Sequence, residues 1–461
     1  MNKLCVMLIA GFSLFPVFAF AGFSDYLMAL SHKGSFSATG EVVASAMATD
    51  LDDFDTFGYG TSLRLGIETK AADDIALGAQ LYAFKYLGEL DEVFDKTASD
   101  TIRAEHAYLQ WWDIANSNIH LAIGRRPFSH GLPSEPFSGS VQVDIPYGSP
   151  ADFNVDGVTV GYLSGSVAGF AKIDLRLFYG TGIESEWGNG TRPKDKNLAE
   201  AQLGGINFDL LNDGRTLVQF SLYRAMGITD GIEGSVAFPT QFAALFAPSL
   251  YADIQKFPIF TFDVYATPRT EIGDINLMSL GFRRQDDSGM IWFGSLAWTR
   301  LEPNGEAGMF GGLGSDAVYQ AILSGDGSEI YMVPVRAEND DSHDGYGVYV
   351  GIQMPAPLGK FGLEYNYGSR YWTPFDQAKD DVLGNKLATR GHAGEAYYIF
   401  ELNANTFIKV GGIYYDFEYT GSGSPVGKPQ RIADIESGAA YSLLPVVDEV
   451  WDTYAKIIFR F

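Results

Sequence analysis

Apolar and polar residues alternate with a period of two in run after run of this chain. Between 361 and 373, Phe361, Leu363, Tyr365, Tyr367, Tyr371 and Thr373 share one phase, interrupted only by Ser369. Gly362, Glu364, Asn366, Gly368 and Arg370 hold the other. Residues 171–179 set Ala171, Ile173, Leu175, Leu177 and Tyr179 against Lys172, Asp174 and Arg176. Residues 57–69 set Tyr59, Leu63, Leu65 and Ile67 against Gly60, Ser62, Arg64 and Glu68. Side chains of a strand point alternately to its two faces, whereas a helix would scatter these charges around its circumference. An apolar face toward lipid and a polar face toward a lumen, over about 10 residues, is the pattern of a strand that crosses a bilayer. The expectation is an all-β fold: a closed antiparallel transmembrane β-barrel.

The links between runs alternate in length. Short ones, most carrying the Asn, Asp and Gly that tight turns favour, fall at Ala72–Asp74, Asp113–Ser117, Gly165–Gly169, Asn212–Gly214, Asp286–Gly289, Pro355–Lys360 and Asn403–Asn405. Long polar segments lie between them, at 88–100, 128–155, 181–198, 228–272, 303–344, 375–390 and 421–448. Short periplasmic turns and long external loops alternate in this way in a membrane barrel, and two periplasmic chain ends require an even number of strands. Seventeen runs are readable, so one must leave the wall. Removing 259–267 into a folded external loop, together with the helix-like stretch Thr240–Ile254, leaves about 16 strands; a strand at Glu329–Val335 would raise the number to 18. Residues 24–32 read as a short helical turn, and nothing marks a domain boundary, so 22–461 form a single barrel domain.

The N-terminus adds a compartment. Lys3 precedes an apolar run from Leu4 to Phe18, and Ala19-Phe20-Ala21 supplies a small-x-small cleavage site, so residues 1–21 read as a signal peptide. Cys5 is the sole cysteine and lies inside that segment, which leaves the mature chain without disulfides or thiolate sites. No later stretch is apolar and long enough for a membrane helix. With 32 basic against 57 acidic residues, the chain lacks the excess of cations that a nucleic-acid partner demands.

The chain end carries the first resemblance. Trp451, Thr453, Ala455, Ile457, Phe459 and Phe461 alternate with Asp452, Tyr454, Lys456, Ile458 and Arg460, and the sequence stops on Phe461. This resembles the last strand of bacterial outer-membrane barrels, which ends on an aromatic residue. The second lies in Gly124-Arg125-Arg126-Pro127, followed by Gly131-Leu132-Pro133 and then Asp156-Gly157-Val158-Thr159-Val160-Gly161-Tyr162. Here the chain is similar to the porin superfamily, and more narrowly to a porin-like group with GRRP and DGxTVGY motifs. The resemblance implies a bacterial outer-membrane channel for passive or weakly selective diffusion of small hydrophilic solutes. Lipid and lipopolysaccharide would surround it, and a homotrimer is the implied assembly. The alternatives are a structural or partner-binding barrel closed by inward-folded loops, and a barrel that sheaths an electron-transfer conduit.

Strand phase then selects pore-lining residues. Arg126, His120, Arg64, Arg103, Glu105, Arg176, Arg283 and Arg370 are expected to face the lumen, with Arg126 at the mouth of an inward-folding loop 128–155. Lys172, Arg300, Lys456 and Arg460 extend the cations, and Glu68, Asp174, Glu364, Asp416 and Glu418 the acids. Charged rings in a narrow pore set selectivity, and equally hold a lumen together through salt bridges. The acidic stretch Glu338–Gly345 has oxygen ligands for Ca²⁺ without the spacing of an EF-hand, and reads better as a solvated loop. The motifs of metalloproteases, P-loop enzymes and α/β-hydrolases are absent, so no enzyme, metal or cofactor is expected.

Overall fold

The computed structural model describes residues 36–51, 54–88, 102–127, 151–152, 154–164, 173–181, 201–213, 215–230, 235–239, 259–263, 270–308, 310–323, 330–376, 386–441 and 446–460. The signal peptide, the turn expected at 24–32, the helix-like stretch 240–254 and Phe461 lie outside these residues. The chain runs through β1 (Phe36–Leu51), β2 (Phe54–Ala72), β3 (Ile75–Gly88), β4 (Ile102–Trp111), β5 (Ile119–Pro127), β6 (Ala151–Asp152), β7 (Asn154–Ser164) and β8 (Ile173–Thr181). It continues through β9 (Gln202–Asn212), β10 (Thr216–Thr229), β11 (Ser235–Pro239), β12 (Ile259–Asp263), β13 (Glu271–Gln285), β14 (Ile291–Pro303) and β15 (Ala317–Leu323). The last elements are β16 (Ile330–Ala337), β17 (His343–Ala356), β18 (Gly359–Gly368), β19 (Phe375–Asp376), β20 (Gly391–Asn403), β21 (Thr406–Phe417) and β22 (Glu449–Arg460).

Sixteen of these strands pair antiparallel in chain order, β1 to β5, β7 to β10, β13, β14, β17, β18 and β20 to β22. The last returns to the first, from Glu41 opposite Arg460 to Leu51 opposite Val450. Each wall strand therefore has a partner on both sides, which removes the exposed edges that make open sheets adhesive. The two phases of each strand meet different surroundings. Leu177 is 51% exposed, Leu296 59% and Trp451 54%, all pointing outward, while the adjacent Arg176, Ser295 and Asp452 are buried. Large apolar residues exposed on the outward phase of many strands mark a surface suited to an apolar partner or surrounding.

Turn chemistry explains the short links. In the turn after β9, Asp213 Oδ1 accepts the backbone N–H groups of Arg215 at 2.9 Å and Thr216 at 2.5 Å. Those two bonds, Thr216 first, hold its carboxyl below the usual range. Asp286 does the same after β13, accepting the N–H groups of Ser288 and Met290 at 2.9 and 3.0 Å. An Asp that accepts from backbone two to four residues on closes such a turn without a longer link.

The opposite end is built from long links that fold on one another. Residues 259–263 leave the wall, as the even strand number requires, and pair with β11 and, in parallel, with β16. Together with β15 they form a four-stranded sheet from two separate links. The strand at 330–337, the basis of the eighteen-strand alternative, belongs to this sheet and adds nothing to the wall. An apolar cluster joins inward wall residues Val155, Phe178, Leu203, Tyr223, Ile275, Leu277 and Leu301 to Ala151, Leu313 and Phe375 from the links. Arg390, fully buried, stitches two links together, donating to the carbonyls of Trp372, Thr420 and Ser424 at 3.0, 3.1 and 2.7 Å. Burying a guanidinium without such acceptors would be costly.

Four phase readings change. β18 ends at Gly368, and the chain turns inward so that Trp372 and Thr373 are buried. Arg370 therefore leaves the wall and donates to the carbonyl of Pro429 at 2.9 Å, beside the rings of Tyr371 and Tyr419. Arg300 shares the outward phase of Leu296, where it pairs with Asp344 at 3.6 Å. Asp416 lies opposite His392 on the outward phase, and Glu418 meets His392 at 3.5 Å. All four stand near the long-link end, beyond the apolar belt, where an outward charge meets polar surroundings and alternation no longer constrains it.

Candidate functional site

The two sequence motifs form one unit of the wall. Gly124 lies opposite Gly157, and Arg125 opposite Asp156. Gly124 has φ of +118°, a conformation that side chains rarely adopt, and a Cβ there would meet the carbonyl of Ala107. Arg125 makes two hydrogen bonds to Asp156, at 2.8 and 2.6 Å, on the outward phase. Both partners are solvent-accessible, so the pair fixes register more than it stabilises. Gly161, two turns of phase further, leaves room for an inward imidazole: its Cβ would lie 2.0 Å from His120 Nε2. Gly161→Val is therefore expected to displace His120 and lower stability by about 1–3 kcal/mol through overpacking. Urea unfolding of the refolded barrel measures it, and an unchanged midpoint would refute the close-packed assignment.

His120 opens the first lumen cluster. It is 6% exposed, 3.7 Å from Asp174 and 5.3 Å between ring centroids from Trp112. Asp174 also pairs with Arg176 at 3.3 Å, and Arg176 reaches Asp209 at 2.8 Å. Gln219 donates to Asp209 at 2.7 Å, while Ser221 and Tyr223 donate to Asn207. Arg64 is buried with its guanidinium 4.6 Å from the Tyr82 ring centroid, and Arg283 is buried on the inward phase of β13. These cations are packed among partners and rings, where an interior of low dielectric rewards pairing.

The remaining expected residues are placed by backbone alone. Arg126 lies opposite Val155 and Arg103 opposite Tyr82. Glu105 falls at a register shift between Gln80–His106 and Leu81–Ala104, so it is the extra residue of a bulge rather than a member of Arg103's phase. The side chains of these three, and residues 128–150 of the loop 128–155 expected to narrow the lumen, lie outside the described residues.

Of a second cluster the sequence reading had only Glu364, as one of the expected lumen acids. The segment 386–390, from the link between β18 and β20, enters the barrel and carries Lys386 to Glu364 and Glu395 on the wall. Lys409 donates to Glu395 at 2.9 Å, Tyr349 donates to Glu364 at 2.5 Å, and Tyr454 donates to Glu395. All six are buried. Backbone contacts hold the segment: Asn366 Nδ2 donates to the Lys386 carbonyl at 2.9 Å and Trp372 Nε1 to that of Leu387 at 2.6 Å. Leu387 then packs on Ile291, Phe293 and Tyr349. Charge alternation at Glu364, Glu395 and Lys409 was the available signal. Apolar residues on the same inward phase, such as Tyr397, Ile399 and Phe407, obscure it.

Among the described residues no group of three or more His, Cys, Asp or Glu could hold a metal ion, the stretch 338–345 included. No described helix is long and apolar enough to cross a membrane, which does not bear on strands.

The family described as "Protein of unknown function (DUF3373)" matches residues 53–461. The chain belongs to this family. The comparison with curated proteins finds no match. Among solved structures, the anion-selective porin from Comamonas acidovorans is similar at 10% identity and a TM-score of 0.49, over 93% of this chain and 99% of that one. Salmonella typhi OmpF in complex with daunomycin gives 11% and 0.46, over 92% and 97%. Vibrio cholerae OmpT gives 10% and 0.44, over 93% and 100%.

Proposed function

We propose that the chain is a porin-like channel of the bacterial outer membrane, exported by cleavage of residues 1–21 and passing small hydrophilic solutes by passive, weakly selective diffusion. The carrying observation is the segregation across a sixteen-strand wall: apolar residues outward, ion-paired polar clusters inward. That segregation suits a closed barrel with lipid outside and an aqueous lumen. The bore is narrower than the strand number implies, because segment 386–390 reaches Glu364 midway along β18. Lys386 and Lys409 balance Glu364 and Glu395, so that cluster favours neither ion sign strongly.

A second reading is a sealed barrel whose loops bind a partner, favoured by the apolar cluster that link residues Leu313 and Phe375 build against the wall. Planar-bilayer recording separates the two. The channel reading expects discrete steps of small conductance with reversal potentials near zero in a salt gradient. A folded barrel that inserts without any step would establish the sealed reading instead.

A further inference from the structure

Beneath segment 386–390 two buried wall carboxylates, Glu364 and Glu395, stand close to one another's partners. Among the described residues the wall cation that pairs with them is Lys409, whose ammonium serves Glu395 and lies 4.0 Å from the Tyr397 ring centroid, while Lys456 opposite it sits on the Tyr454 ring. Tyr349 and Tyr454 add hydrogen bonds without charge. A second buried carboxylate on these terms is costly unless another cation enters. The cation that enters comes from a link, not from the wall. Lys386 Nζ donates to both carboxylates, and the Tyr349 ring centroid lies 5.7 Å away. Two carboxylates and an aromatic face are what a primary ammonium seeks: three donors on a compact charge, with a ring for the remaining side.

We propose that Glu364, Glu395 and Tyr349 form a binding site for primary alkylammonium groups, which Lys386 occupies as a tethered competitor. Solutes bearing an amine on a slender alkyl stem, such as basic amino acids or polyamines, are the class the site takes. That they are the transported solutes rests on the channel reading; the site does not. An untethered amine must outcompete a lysine held in place at an effective concentration of order mM or above. The site therefore answers weakly in the intact chain and strongly once the lysine is removed.

The test uses the full chain refolded in detergent, with folding checked by heat-modifiable migration. Lys386→Ala should unfold at a lower temperature than the unmodified protein. Butylammonium chloride should restore the lost stability, and butanol or sodium chloride at the same concentration should not. The unmodified protein should need at least ~10-fold more butylammonium for any response, because the tethered lysine competes. Adding Glu364→Gln to Lys386→Ala should abolish the rescue. In bilayers the variant should conduct more than the unmodified chain, and butylammonium should reduce that current. Equal effects of butylammonium, butanol and sodium would overturn the ammonium site, whatever the conductance. Thermal rescue without current in any variant would instead overturn the channel reading and leave the site standing. If Lys386→Ala does not fold, Lys386→Ser leaves the same space vacant and makes the same comparison.

Discussion

Replacing Glu395 with alanine is expected to cost ~3–5 kcal/mol of stability, the range for removing one partner of a buried ionic group. Glu395 holds Lys386, Lys409 and Tyr454 at once, and its side chain is 4% exposed. Truncation would strand Lys409 between the rings of Tyr397 and Tyr454, 4.0 and 5.2 Å from their centroids, without a carboxylate. Glu364 would still neutralise Lys386, so the uncompensated charge falls on Lys409. The double variant Glu395→Ala with Lys409→Met should therefore recover part of the loss, since the two sites share one interaction. Urea unfolding in detergent or lipid vesicles reads both values. Additive losses in the double variant would show that the cluster is not the energetic unit described here.

The outward phase was legible because apolar residues recur at it in strand after strand. Leu175, Leu177 and Tyr179 declare it, and Arg176 between them is buried as the alternation requires. The turn aspartates were equally plain, since their role is local: Asp213 and Asp286 bond backbone within four residues. The run 259–263 could be removed from the wall by counting alone. What escaped was non-local or one-sided. Lys386 is a loop residue whose partners, Glu364 and Glu395, belong to strands on either side of its own link. Inward positions also tolerate apolar residues, as Ile399, Phe407 and Ile458 form a buried inward cluster of their own, so inward phase is a weaker signal than outward phase. Near the long-link end both faces turn polar, and Arg300 and Asp416 were assigned by a rule that has lapsed there. The bulge at Glu105 shows a further cost: one extra residue reverses every inference beyond it.

Leu177→Arg is the substitution that decides what surrounds the wall. Leu177 lies at the middle of β8, five residues into Ile173–Thr181, outward and 51% exposed. Its neighbours in register are Val160 on β7 and Ile206 on β9, so the site is apolar on both sides. No inward partner is lost, because the phase that carries Arg176 and Phe178 is untouched. If water covered this face, an exposed leucine could become arginine within about ±0.5 kcal/mol, as surface substitutions usually do. In lipid, a charge near the midplane of a barrel costs about 2–4 kcal/mol, falling to ~0–1 at the interface. Trp451, outward near the long-link end of β22, supplies the interfacial control: Trp451→Arg should cost distinctly less than Leu177→Arg. The measurement is reversible unfolding from lipid vesicles, with membrane yield in cells as a second readout. Leu177→Arg should lose ~2–4 kcal/mol and assemble poorly, whereas Leu177→Val should be close to neutral. Equal, near-zero costs at both positions would mean that the belt faces water and that the barrel does not reside in a membrane.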